Sequence, residues 1–197
     1  MFSEQNRLWL VSFQRAATPQ ELPLRNLHER HRALTVPIAG GYEEAASVCL
    51  QRHHTPPVDV TLADNGSRSS ASVDWVPPDQ RTRDAWANET DATEAGAYAC
   101  VIAGVEALRG LYAVRRAETG TGADYYIAPA GRGVDDLEDC LRLEVSGVDH
   151  GDEKEVLKRL SAKVRQARAG SSSLPAVAGV FGFGARLLAV QDVPEAP

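Results

Sequence analysis

The sequence predicts an α/β protein with a mixed β-sheet flanked by helices. In its second half the periodicity changes in the order helix, three strands, helix, strand. Its first half holds a helix followed by a β-hairpin. A hydrophobic content of 43% with 24% charged residues is that of a globular chain able to bury a core. Strands interleaved with helices favour a sheet covered on its faces over a sandwich or a bundle.

Local signals mark each element along the chain. Leu8-Trp9-Leu10-Val11 reads as a strand or a helix turn, and Pro19, Pro23 and Pro37 punctuate the segment after it. Residues 42–52 have a helical pattern, with Ala45, Ala46, Val48, Cys49 and Leu50 on the apolar side, and Pro56-Pro57 ends it. Residues 58–62 and 72–76 alternate as strands around the turn signal Asp64-Asn65-Gly66. Asp59 and Asp74 then fall on the solvated face of that hairpin.

Residues 93–109 are the most helical stretch. Alanines interleave with Ile102, Val105 and Leu108, and the small residues Gly96 and Gly104 imply close packing. Gly110 is a natural stop. Three strand-like runs come next, at 112–114, at 124–127 after Gly120-Thr121-Gly122, and at 140–145. Residues 151–168 form an amphipathic helix with Val156, Leu157, Leu160, Val164 and Ala167 on one face, ended by Gly170 and a serine run. Residues 176–181 and 186–193 are apolar and strand-like, and no internal repeat is present. Residues 1–90 read as an N-terminal α+β extension that binds a partner or a second copy of the chain. Residues 91–197 read as the core.

The formal charge of −6 argues against a strong sequence-independent nucleic-acid binder, whose footprint is basic, but leaves room for a local basic face. No apolar run is long enough to span a membrane, and the N-terminus lacks the form of a secretion signal. Cys49, Cys100 and Cys140 are odd in number and lack metal-type spacing, so they read as reduced, buried thiols of a cytoplasmic protein. His28 and His31, and the pair His53-His54, lack a third ligand in sequence and read as surface or helix-end residues. Gly120-Thr121-Gly122 precedes a strand rather than a helix, so it is a turn and not a phosphate loop. Ser146-Gly147 lacks the flanking glycines of a nucleophile elbow.

The order of the second half, αβββαβ, resembles the core of the PD-(D/E)XK nuclease superfamily, the restriction endonuclease-like fold. In that superfamily an Asp opens the second strand, and the third carries an acidic residue, a spacer and a Lys. Asp124 and Glu144-Val145-Ser146 occupy those places, twenty residues apart and joined through Gly131-Arg132-Gly133. An acidic residue on the first helix often completes the metal site, which points to Glu94, with Glu106 in reserve. The resemblance covers about half the chain. It implies a Mg²⁺-dependent nuclease acting on nucleic acid, DNA above all, in antiviral defence or DNA maintenance.

Carboxylates converging on Mg²⁺ suit that chemistry, because the ion lowers the pKa of a bound water and polarises a phosphoryl oxygen. The chain departs from the pattern at Ser146, where the Lys belongs; a hydroxyl supplies no positive charge. The following helix offers a replacement in Lys163, flanked by Arg159 and Gln166 as nucleic-acid contacts on one sector. The alternative is a core that lost the Lys and serves as a non-catalytic interaction subunit.

Overall fold

A computed structural model describes residues 20–132 and 136–194. The Leu8 to Val11 segment and Gly133 lie outside the described residues. The elements are β1 (Gln20–Glu21), α1 (Leu27–Arg30), α2 (Val36–His53), β2 (Val58–Asp64), β3 (Ser67–Val73), α3 (Gln80–Ala85), α4 (Glu89–Arg109), β4 (Leu111–Arg116), β5 (Tyr125–Pro129), β6 (Leu141–Val148), α5 (Glu153–Arg168), β7 (Ala176–Gly182) and β8 (Leu187–Val193).

The strands form one eight-stranded mixed sheet in the order β1-β3-β2-β8-β7-β6-β5-β4. Strands β4, β5 and β6 pair as an antiparallel meander. Helix α5 then carries the chain to β7, which runs parallel to β6. Strand β8 returns antiparallel to β7 and pairs in parallel with β2, so the N-terminal hairpin extends the same sheet across the boundary at residue 90. The sheet flanked by helices is the predicted α/β architecture.

Alternation along the strands sorts side chains onto two faces. On one face Leu143, Val145, Val177, Phe181, Leu188 and Val190 pack with α2 and α4 in the main core. On the other, Ala178, Val180, Leu187 and Ala189 pack with Val156 and Leu160 of α5. Helix α4 is buried between the sheet and α2. The small residues expected to allow close packing do so on both sides: a Cβ at Gly96 would lie 2.9 Å from the Ala46 backbone of α2. At Gly147 of β6, a Cβ would lie 2.6 Å from the Thr93 carbonyl oxygen. That glycine lets the first turns of α4 sit directly on β6.

Element boundaries differ from expectation where capping and turn chemistry act. Helix α4 starts four residues earlier than residue 93, because the Asn88 side chain accepts from the Thr90 and Asp91 N–H groups. Pro37 does not break structure; it sits in the first turn of α2, where its missing N–H costs nothing. The second hairpin strand begins at Ser67, directly after the two-residue turn Asn65-Gly66. Its Arg68, Ser69 and Ser70 are exposed, so hydropathy is silent there. Asp59 and Asp74 are exposed as predicted, and all three cysteines are free and buried. No helix among the described residues is long and apolar enough to cross a membrane.

Candidate functional site

Strands β5 and β6 are adjacent, with Tyr125 opposite Leu143. One residue further along this antiparallel register, Asp124 lies opposite Glu144, and the Asp124 N–H donates to the Leu143 carbonyl at 2.8 Å. Glu144 alternates with Leu143 and Val145, so it points to the α5 face rather than into the main core. There Lys163 Nζ donates to Glu144 Oε1 at 2.7 Å, with a side chain only 17% exposed. Lys163 Nζ also donates to Gln166 Oε1 at 3.2 Å, which fixes the ammonium from its own helix.

Asp124 is held by several donors. Its Oδ2 accepts from the Val145 N–H at 2.8 Å, and its Oδ1 accepts from the Tyr98 hydroxyl at 2.7 Å. Arg116 approaches the same Oδ1 at 3.5 Å, donates to Tyr98 Oη at 3.1 Å and lies over the Tyr98 and Tyr125 rings. Burial and the Asp124 charge push the Tyr98 phenol upward. Burial pushes the Glu144 carboxyl above its usual range; the Lys163 hydrogen bond opposes this and the Asp124 charge adds to it.

These groups form the floor of two joined clefts. One, of about 590 Å³, is lined by Glu94, Tyr98, Arg116, Asp124, Glu144 and Gln166 among others. The second, of about 720 Å³, holds Ser146, Arg159, Lys158 and Glu155, and shares Glu94, Val145 and Lys163 with the first. The structure thus brings Asp124, Glu144, Glu94 and Lys163 to one place, with Gln166 on one side and Arg159 on the other. Glu106 is elsewhere. Near the opposite end of α4 it accepts from Arg30 Nε at 2.8 Å and lies 3.0 Å from the His31 ring.

Sequence reasoning missed Tyr98, Arg116 and Arg142. Tyr98 is one helical turn after Glu94, and Arg116 pairs across the ladder with Tyr125, so both were within reach of spacing arguments. Arg142 shares the Glu144 face. Buried, it donates to the Thr121, Ala167 and Leu174 carbonyls, tying the turn before β5 to the end of α5. His53 is also not a surface residue, since its ring lies 2.8 Å from Asp149 Oδ1.

The donor set at the cleft is oxygen-rich. Carboxylates and the two cations Arg116 and Lys163 line it, and the Glu144 carboxyl is raised first by its burial. Asp124, Glu144 and Glu94 line the cleft with oxygen donors, but as a set their oxygens do not gather within 4.8 Å of one another. Compared with profiles of known families, with curated proteins and with solved structures, the chain matches none.

Proposed function

We propose that this protein is a metal-dependent nuclease of PD-(D/E)XK type, acting on phosphodiester bonds of DNA in the cytoplasm, in antiviral defence or DNA maintenance. The observation that supports it most is the Lys163 ammonium, delivered by α5 onto Glu144 across from Asp124. It stands where Ser146 leaves the third strand without a cation.

In this reading Asp124, Glu144 and Glu94 hold Mg²⁺, which supplies an acidified water and a polarised phosphoryl oxygen when bound. Lys163 orients the attacking water and offsets the negative charge that develops on the phosphorane-like transition state. Arg116, half exposed at the rim, takes a non-bridging phosphate oxygen. Gln166 holds Lys163 in place, and Arg159 contacts the flanking backbone phosphates of the strand.

A second reading has its own support. Asp124 already accepts from a backbone N–H, a phenol and a guanidinium, and Glu144 from an ammonium. Such a satisfied network suits a non-catalytic subunit that keeps the fold for a protein partner. One experiment separates the two: incubation with single-stranded DNA, duplex DNA and RNA in Mg²⁺ or Mn²⁺. Cleavage by the wild type that is lost in Asp124→Asn and Glu144→Gln supports the nuclease. No cleavage of any substrate, with no thermal stabilisation by either ion, leaves the subunit.

A further inference from the structure

We propose that His53, Asp149 and His150 form a binding site for a transition-metal ion of the zinc class, separate from the Asp124 and Glu144 centre. His53 is the last residue of α2, and Asp149 and His150 lie between β6 and α5. Folding brings their ligand atoms, from positions almost a hundred residues apart, to within 4.8 Å of one another. The two rings meet edge to face at 4.8 Å between centroids.

Two of the three ligands are fixed in advance. Asp149 Oδ2 accepts from Arg52 Nη1 at 2.6 Å, and its backbone carbonyl accepts from the Gly184 N–H at 3.0 Å. This leaves Oδ1 facing the His53 ring at 2.8 Å. Orientation of a ligating carboxylate by an outer donor is the usual support of a metal site. Side-chain exposures of 14% for His53 and 9% for Asp149 make that half of the site rigid. His150, 69% exposed, is an arm free to close on an ion.

The donor set selects the ion. Two imidazole nitrogens and one carboxylate oxygen suit a borderline cation such as Zn²⁺, whereas Mg²⁺ and Ca²⁺ take oxygen. Three protein ligands leave the fourth tetrahedral position open. Asp149 and His150 line the same 720 Å³ cleft as Glu94 and Lys163, so an ion held there would border that cleft. The proposal does not rest on the nuclease reading. Its competitor is a purely structural Arg52–Asp149–His53 network. His150 distinguishes them, because its ring nitrogen stands 3.8 Å from Asp149 Oδ2, beyond hydrogen-bond reach, and gives that network little. The thiols are poor rivals for zinc: Cys49 is buried and its thiol is pushed up to about 12, first by that burial.

The test uses the full chain without a polyhistidine tag, stripped with EDTA and desalted. ZnCl₂ titration by calorimetry should show a tight site that depends on His150, and CoCl₂ should give the visible absorption of a tetrahedral centre. His150→Ala should melt like the wild type without metal, yet bind Zn²⁺ at least about tenfold more weakly and lose the cobalt band. Asp124→Asn should bind Zn²⁺ as the wild type does. An absence of stoichiometric zinc binding, or equal binding by His150→Ala and the wild type, overturns the site. Loss of zinc binding in Asp124→Asn instead would assign the ion to the other centre and overturn it too.

Discussion

Helix α4 meets a carboxylate–cation cluster near each of its ends, and the two differ in how open they are. Near the C-terminal end, Glu106 is enclosed by the Arg30 guanidinium and the fully buried His31 ring, whose Nδ1 accepts from the Ala113 N–H at 3.1 Å. That acceptor role places the His31 proton on Nε2, toward Glu106. One carboxylate faces two partners, and every contact ties α1 and its following turn to α4 and β4. Near the N-terminal end, Asp124, Glu144 and Glu94 outnumber Lys163 and Arg116, and the cluster opens into clefts. Similar pairings thus close a core in one place and line an open cleft in the other.

Breaking the open cluster should have the largest effect. Lys163→Ala should cut cleavage by about 100-fold or more, the loss expected when roughly 3 kcal/mol of transition-state electrostatics is removed. Single-turnover assays in Mg²⁺ check this, and an unchanged rate would remove Lys163 from the mechanism. Breaking the closed cluster should act on stability instead. His31→Ala strips the Ala113 N–H and Glu106 of a buried partner and should cost about 2 kcal/mol in a denaturant melt, with activity of the folded fraction kept.

The pH dependence sharpens the contrast, because the two clusters should tilt stability in opposite directions. Burial lowers the His31 pKa from its ordinary 6.5, so the unfolded chain takes up the proton first. Its contribution is present above pH 6.5 and is lost as pH falls below it. Burial raises the Glu144 pKa above 4.5, so the folded state holds its proton longer. Its contribution is present below pH 4.5 and is lost as pH rises from 4.5 through the raised value. Each slope is bounded at about 1.4 kcal/mol per pH unit. Melts across this range should show the acid-side loss disappear in His31→Gln and the loss on rising pH disappear in Glu144→Gln. A variant that leaves its own slope intact would refute that assignment.

The smallest effect belongs to Arg159. Arg159→Ala should weaken DNA binding only a few-fold and reduce the slope of log K against log salt by about one, as expected for one lost phosphate contact. A slope unchanged from the wild type would place Arg159 off the nucleic-acid path.

Much of the scaffold was legible in the residues. The meander, the α5 crossover and the final strand pair follow from periodicity and from turn residues such as Asn65-Gly66 and Gly120-Thr121-Gly122, because these signals are local. Asp124 and Glu144 are placed by the resemblance, with a separation that suits a hairpin, and the reach of Lys163 by helical spacing beside Leu160 and Val164. What escaped was governed by side-chain caps and by long-range contact. The Asn88 cap lengthens α4 without any hydrophobic signal. Tyr98 and Arg116 look like ordinary core or surface residues until α4 and the sheet set them against Asp124, and Arg142 until it meets the Ala167 carbonyl at the end of α5.

Local sequence therefore specifies the element types, their order in the second half and the side of α5 on which Lys163 stands, since each depends on neighbours within a few turns or one hairpin. Packing selected the rest. It joined the N-terminal hairpin to the sheet through β8, separated Glu106 from Glu94 along one helix, and drew His53 against Asp149 and His150. Those outcomes depend on pairings between residues dozens of positions apart, whose loop-closure cost is met only when the whole core forms.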